Sequence, residues 1–106
     1  MSRPRFTIRY DPLVAIQIRA IHRRWFGLIR STIEEQLAYE PETETRNRKP
    51  LRKPSLLAEA WELRFGPENR FRVFYRVLPE AREVHILAVG TKRGNRLLIG
   101  KEEFEL

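Results

Sequence analysis

Cysteine is absent from this chain of 106 residues. That excludes disulfide scaffolds, thiol catalysis, zinc fingers and iron–sulfur sites. Aspartate occurs once, as Asp11, and histidine twice, as His22 and His85. So thin a set of ligands argues against a metal site, and no cofactor is expected. No apolar run approaches the ~20 residues of a membrane span. Met1-Ser2-Arg3-Pro4-Arg5 carries charge with no apolar stretch behind it, so no signal peptide and a cytoplasmic location are expected.

Acidic residues are outnumbered, 14 against 21 basic ones, for a net charge of +7. Arginine supplies 17 of the basic residues and lysine 4. The planar guanidinium matches phosphate oxygens two at a time, which an ammonium cannot do. The bias points to an anionic partner, nucleic acid or an acidic protein segment, with simple solubility as the plainer explanation. The length suits one domain spanning residues 1–106, and 42% hydrophobic residues suffice for one core.

Apolar residues alternate from Arg5 to Tyr10, a strand pattern. Asp11-Pro12 then reads as a helix start, a capping carboxylate before a proline at the first turn. Val14, Ile18, Ile21, Trp25 and Leu28 follow at helical spacing, with a break expected near Gly27. Ile29, Ile33 and Leu37 mark a second helix, Ser31 and Glu34 fit a capping box, and Pro41 ends it. Residues 41–56 hold three prolines and read as a long basic loop. Within it, Arg46, Arg48, Lys49, Arg52 and Lys53 are accompanied by no acid from Thr45 to Pro54.

The second half reads as antiparallel strands over Ala60–Phe65, Phe71–Val77 and Val84–Gly90, with turn chemistry at Gly66-Pro67-Glu68-Asn69. Pairing Phe65 with Phe71 gathers the apolar side chains on one face and sets Arg64 opposite Arg72 and Glu62 opposite Phe74. Pairing Val77 with Val84 sends Ile86 and Ala88 to the core and sets His85 opposite Arg76. The other face therefore collects Glu62, Arg64, Arg72, Phe74, Arg76 and His85. Two arginines facing each other in a sheet repel. They read either as a solvated face softened by Glu62 or as an anion site for phosphate or carboxylate. Lys49, Arg52, Lys53, Lys92, Arg93 and Arg96 are placed to enlarge such a site.

In its order of elements the chain resembles the RelE/ParE superfamily of type II toxin–antitoxin toxins. The resemblance lies in Trp61-Glu62-Leu63-Arg64-Phe65, in Arg70-Phe71-Arg72-Val73-Phe74-Tyr75-Arg76-Val77, and in Val84-His85-Ile86-Leu87-Ala88-Val89-Gly90 with the Lys92-Arg93 that follows. It covers nearly the whole chain. It implies an α+β fold, two N-terminal helices on one face of a twisted, mostly antiparallel sheet of four or five strands. It also implies a toxin held inactive by a cognate antitoxin. RelE-like members cut mRNA in the ribosome without a metal, and ParE-like members inhibit DNA gyrase.

Carried onto this sequence, the strand arginine that holds the scissile phosphate is Arg72. A basic residue of the preceding strand is Arg64, and one after the Gly-ending strand is Lys92 or Arg93. A second basic position is occupied by Glu62, and the C-terminal tyrosine of RelE is replaced by Leu97-Leu98-Ile99. Cleavage through the 2′-hydroxyl needs a base, an acid and positive charge for the phosphorane. Arg72 and Arg64 supply the charge, and Glu62 and His85 are the candidates for base and acid. Lys49, Arg52, Lys53, Arg76, Lys92, Arg93 and Arg96 are candidates for holding RNA backbone. Phe74 is a candidate for stacking a base, the alternative being an aromatic on a covered sheet face. His22, beside Arg23 and Arg24, is expected on a solvated helix face. The readings left open are a ribosome-dependent mRNA endonuclease, a gyrase inhibitor that cuts nothing, and a degenerate nucleic-acid-binding member.

Overall fold

Backbone alternation makes Thr7–Tyr10 a strand, β1, in a computed structural model that describes residues 4–51 and 59–105. The Asp11 carboxylate accepts a hydrogen bond from the Leu13 amide at 2.9 Å, and Pro12 opens helix α1, Pro12–Arg19. The expected cap is therefore present. The break between the helices is not at Gly27. It falls at Ala20–His22, and His22 Nδ1 accepts the Arg24 amide to cap a 3-10 turn over Arg23–Trp25. His22 is thus a capping residue rather than part of a helix face. Helix α2, Phe26–Leu37, contains Gly27, and Ser31 lies inside it with its hydroxyl on the Leu28 carbonyl. Apolar residues keep helical spacing across the chain reversal, so periodicity alone conceals it.

The strands that follow are β2 (Arg48–Pro50), β3 (Trp61–Phe65), β4 (Phe71–Leu78), β5 (Glu83–Arg93), β6 (Arg96–Ile99) and β7 (Glu102–Glu105). They form one sheet in the order β2-β3-β4-β5-β6-β7, antiparallel throughout, with β1 parallel to β5. The outer edge of the long β5 is shared: β1 lies along Glu83–Ile86 and β6 along Thr91–Arg93. The α+β architecture is the expected one, and the sheet is larger than four or five strands. The additional strands, β2, β6 and β7, are three or four residues long and held by backbone ladders, and they carry little apolar alternation.

Val14 of α1 and Ile29, Ile33 and Leu37 of α2 pack on Leu63, Phe65, Phe71, Val73, Tyr75, Val84, Ile86 and Val89. Each side chain buried in this way contributes roughly 1.5–3 kcal/mol. The C-terminal end of α2 and the loop after it are each tied down once. The buried Arg48 guanidinium donates to the Gln36 carbonyl, and the Tyr75 hydroxyl donates to the Pro41 carbonyl at 2.8 Å. Among the described residues no helix is long and apolar enough to cross a membrane.

Candidate functional site

The hairpin of β3 and β4 has the expected register. Phe65 faces Phe71, Arg64 faces Arg72, and Glu62 faces Phe74. Val77 faces Val84 and Arg76 faces His85. Between these two stretches the register of β4 and β5 shifts at Phe74/Tyr75, so that Tyr75 faces Ile86 while Phe74 faces Ala88. One extra residue in a strand reverses which side chains face the helices. Ala88 consequently leaves the main core, where it was expected, and joins Phe74, Leu97, Leu51 and Ile99 on the opposite face. Phe74 is only 5% exposed in that cluster. Its surroundings are those of a covered sheet face, not of an open stacking platform.

The shift also sets Arg72 opposite Gly90. A Cβ on Gly90 would stand 2.7 Å from the Leu98 carbonyl oxygen and 2.9 Å from Ile99 Cγ1. The missing side chain lets β6 cross close to this face beside Arg72.

The charged centre of the face is a three-residue cluster. Glu62 places one carboxylate oxygen 2.5 Å from Arg64 Nε and the other 3.5 Å from Arg72 Nη1. Arg72 Nε also donates to the Asn69 carbonyl at 3.1 Å. Arg72 and Glu62 are almost fully buried, whereas the Arg64 side chain is 40% exposed. Burial pushes Arg72 below the ordinary guanidinium value; Glu62 pulls it back up and Arg64 adds to the depression. It remains a cation at neutral pH. Asn47 fixes the Arg64 backbone from the β2 side, accepting its amide at 2.8 Å and donating to its carbonyl at 2.7 Å.

Other residues named from the sequence distribute unevenly. Lys49 pairs with Glu62 across β2 and β3, which places it exposed on the charged face. Lys92 is exposed two residues beyond Gly90, on the Arg72 side of β5. Arg93 and Arg96 pair with each other on the reverse side, and Arg96 bonds Glu103 at 2.5 Å. Arg52 and Lys53 lie outside the described residues. Arg76 is half-buried beside His85 on β4.

His85 stands roughly 12 Å from Glu62 by strand spacing and pitch, two strands across and two residues along. Its Nε2 is 3.0 Å from Glu83 Oε1, and Arg9 Nε is 2.5 Å from the other oxygen of that carboxylate. The His85 hydrogen bond, then the Arg9 one, holds the Glu83 carboxyl below its usual value. Arg9, Glu83 and His85 thus form a second charged group, distinct from the arginine pair.

Sequence reasoning did not single out Arg24 and Arg70. Both guanidiniums lie against the Trp25 indole, at 5.1 and 5.4 Å from its centroid, and Trp25 packs edge-on against Phe71. In the sequence Trp25 reads only as a residue at helical spacing, and the chain reversal at His22 is what brings it to Arg70. The described residues contain no group of three or more His, Cys, Asp or Glu side chains arranged to hold a metal ion.

No protein-family model matches the chain, and no curated protein matches it in sequence. Among solved structures it is similar to the toxin–antitoxin complex RelBE2 from Mycobacterium tuberculosis, with a TM-score of 0.69 and 26% sequence identity. The match covers 87% of this chain and 95% of that one. With nearly the whole of both chains matched, the fold is RelE-like, and the likeness supports a toxin of a toxin–antitoxin pair.

Proposed function

We propose that this toxin of a toxin–antitoxin pair is a ribosome-dependent mRNA endonuclease. The observation that carries the reading is the Arg64–Glu62–Arg72 cluster on a sheet face whose exposed borders hold Lys49 and Lys92. Two fixed guanidiniums suit a phosphodiester that gains negative charge during attack by the adjacent 2′-hydroxyl. Arginine is a poor base, so the proton of that hydroxyl falls to the Glu62 carboxylate. His85, on the same face but further along β5, is the candidate acid for the leaving 5′-oxygen. A weak set of acid–base groups suffices when the ribosome holds the mRNA in its reactive geometry. Arg24 and Arg70 on Trp25 then serve as cationic contacts for RNA backbone at the end of the sheet.

The cognate antitoxin is the other expected partner, because the similar RelBE2 structure is a toxin–antitoxin complex. An apolar groove of about 490 Å³ between α1 and α2, lined by Val14, Ala15, Ile18, Phe26, Ile29 and Ile33, suits an amphipathic segment of it.

A second reading, a ParE-like toxin that inhibits gyrase without cutting RNA, draws on Leu97-Leu98-Ile99. Leu97 and Ile99 pack with Phe74, so the position where RelE carries its tyrosine is apolar. Mapping the 5′ ends of a reporter mRNA in a purified translation reaction decides between the two. New ends at codon boundaries, appearing only with ribosomes, are the expected result. Intact mRNA from a folded, growth-inhibiting protein would transfer the assignment to gyrase.

A further inference from the structure

Arg64 and Arg72 stand directly opposite each other on neighbouring strands, an arrangement that repels unless an anion lies between them. The anion present is Glu62, which comes from the same strand as Arg64 and sits diagonally across from Arg72. Its two oxygens divide between the two guanidiniums, one at 2.5 Å from Arg64 and one at 3.5 Å from Arg72. The two non-bridging oxygens of a phosphodiester meet a pair of guanidiniums in the same way. The cluster is also asymmetric in access. Arg64 is 40% exposed, against 5% for Arg72 and 8% for Glu62.

We propose that Glu62 is a built-in stand-in for the phosphate, occupying the anion site of the arginine pair until a phosphodiester displaces it. The proposal rests on the phosphate-site reading above and adds the control of that site. An incoming phosphate meets Arg64 first, because that is the exposed arm. It takes Arg64 from the carboxylate and then reaches Arg72 as Glu62 swings aside. The released carboxylate remains next to the phosphate it has replaced, where a base for the 2′-hydroxyl is needed. Because the competitor is tethered, its effective concentration at the site is of mM order or above. A loose phosphate or short RNA is therefore a poor ligand. An mRNA positioned by other contacts, with Lys49 and Lys92 beside the site, competes successfully. Dependence on a large RNA assembly follows from a site closed by its own side chain.

The test uses thermal unfolding of the full chain in inorganic phosphate and in chloride at matched ionic strength. The proteins compared are the wild type, Glu62→Gln, Glu62→Gln with Arg64→Gln, and Glu103→Gln, which breaks an exposed pair elsewhere. Glu62→Gln is expected to melt below wild type in chloride and to regain roughly 5–10 °C as phosphate saturates the vacated site. Wild type and Glu103→Gln should shift together and much less, and the double variant should lose the response. A Glu62→Gln protein that tracks the controls overturns the proposal. So does one that stays unfolded at every phosphate concentration, or a response that survives loss of Arg64. The measurement uses neither RNA nor ribosomes. Phosphate uptake by Glu62→Gln, with mRNA left intact by the wild type, would leave this proposal standing and remove the nuclease reading; mRNA cut by the wild type, without phosphate uptake by Glu62→Gln, would do the reverse.

Discussion

Arg72 combines three properties that seldom coincide in one side chain: it is buried, cationic and aligned with a like-charged neighbour. Its fork geometry, not its charge alone, satisfies both Glu62 and the Asn69 carbonyl. Arg72→Lys keeps the charge and loses the fork. It is expected to fold and to lower mRNA cleavage about 10²-fold, read as primer-extension ends in a translation reaction. Glu83 offers a test at the other charged group. Its carboxyl titrates below the ordinary value in the folded protein because of His85 and Arg9. A group depressed on folding contributes stability that is fully present above its unfolded value and disappears as pH falls through the folded one. Urea midpoints of the wild type should therefore fall as pH drops below the ordinary carboxylate range, near 4.3. Glu83→Gln should flatten that part of the profile, and an unchanged slope would remove Glu83 from the account.

At the scale of elements, β5 decides how the face is built. Its first half follows the alternation read from the sequence, with Val84 and Ile86 inward and His85 outward. The shift opposite Phe74/Tyr75 then moves Ala88 and Gly90 to the charged face. No local residue pattern announces the shift, because Val84–Gly90 is apolar on both parities except for His85. Gly90 has a definite task there, since a methyl group would collide with the Leu98 carbonyl of β6, which cannot yield as the nearby Ile99 and Leu97 side chains can. Gly90→Ala should cost about 1–3 kcal/mol in denaturant unfolding, through displacement of β6. The helix pair shows the complementary case. Its buried stripe of Val14, Ile29, Ile33 and Leu37 was legible because helical spacing reports burial. The reversal between the helices was not legible, since it depends on a His22 side-chain cap that leaves the apolar spacing intact.

For the molecule as a whole, charge is arranged around the sheet rather than spread evenly. The arginine pair occupies the centre of one face, Lys49 and Lys92 its exposed borders, and Arg24 and Arg70 the end of the sheet against Trp25. If these end-of-sheet cations contact RNA backbone, each contributes about 0.7–0.9 to the slope of log affinity against log salt. Replacing both Arg24 and Arg70 with glutamine should reduce that slope by about 1.4–1.8 in ribosome co-sedimentation. An unaltered slope would confine RNA contact to the Arg64–Arg72 face.

The α+β class came from the resemblance; helical spacing and strand alternation by themselves determined the helix stripe, most of the main core, the facing of Arg64 and Arg72, and the presence of Glu62 and His85 on their side of the sheet. These are properties of spacing, and spacing is local: period two fixes a strand's faces and matching apolar faces fix a hairpin's register. Only the tertiary structure decided that Glu62 bridges both arginines, that Phe74 is covered by Leu97, that Arg93 and Arg96 lie behind the sheet from Lys92, and that Trp25 carries two guanidiniums. Each of these depends on a bulge, a chain reversal or an edge strand. Such features are set by contacts between segments distant in sequence, and the local pattern of any one segment does not contain them.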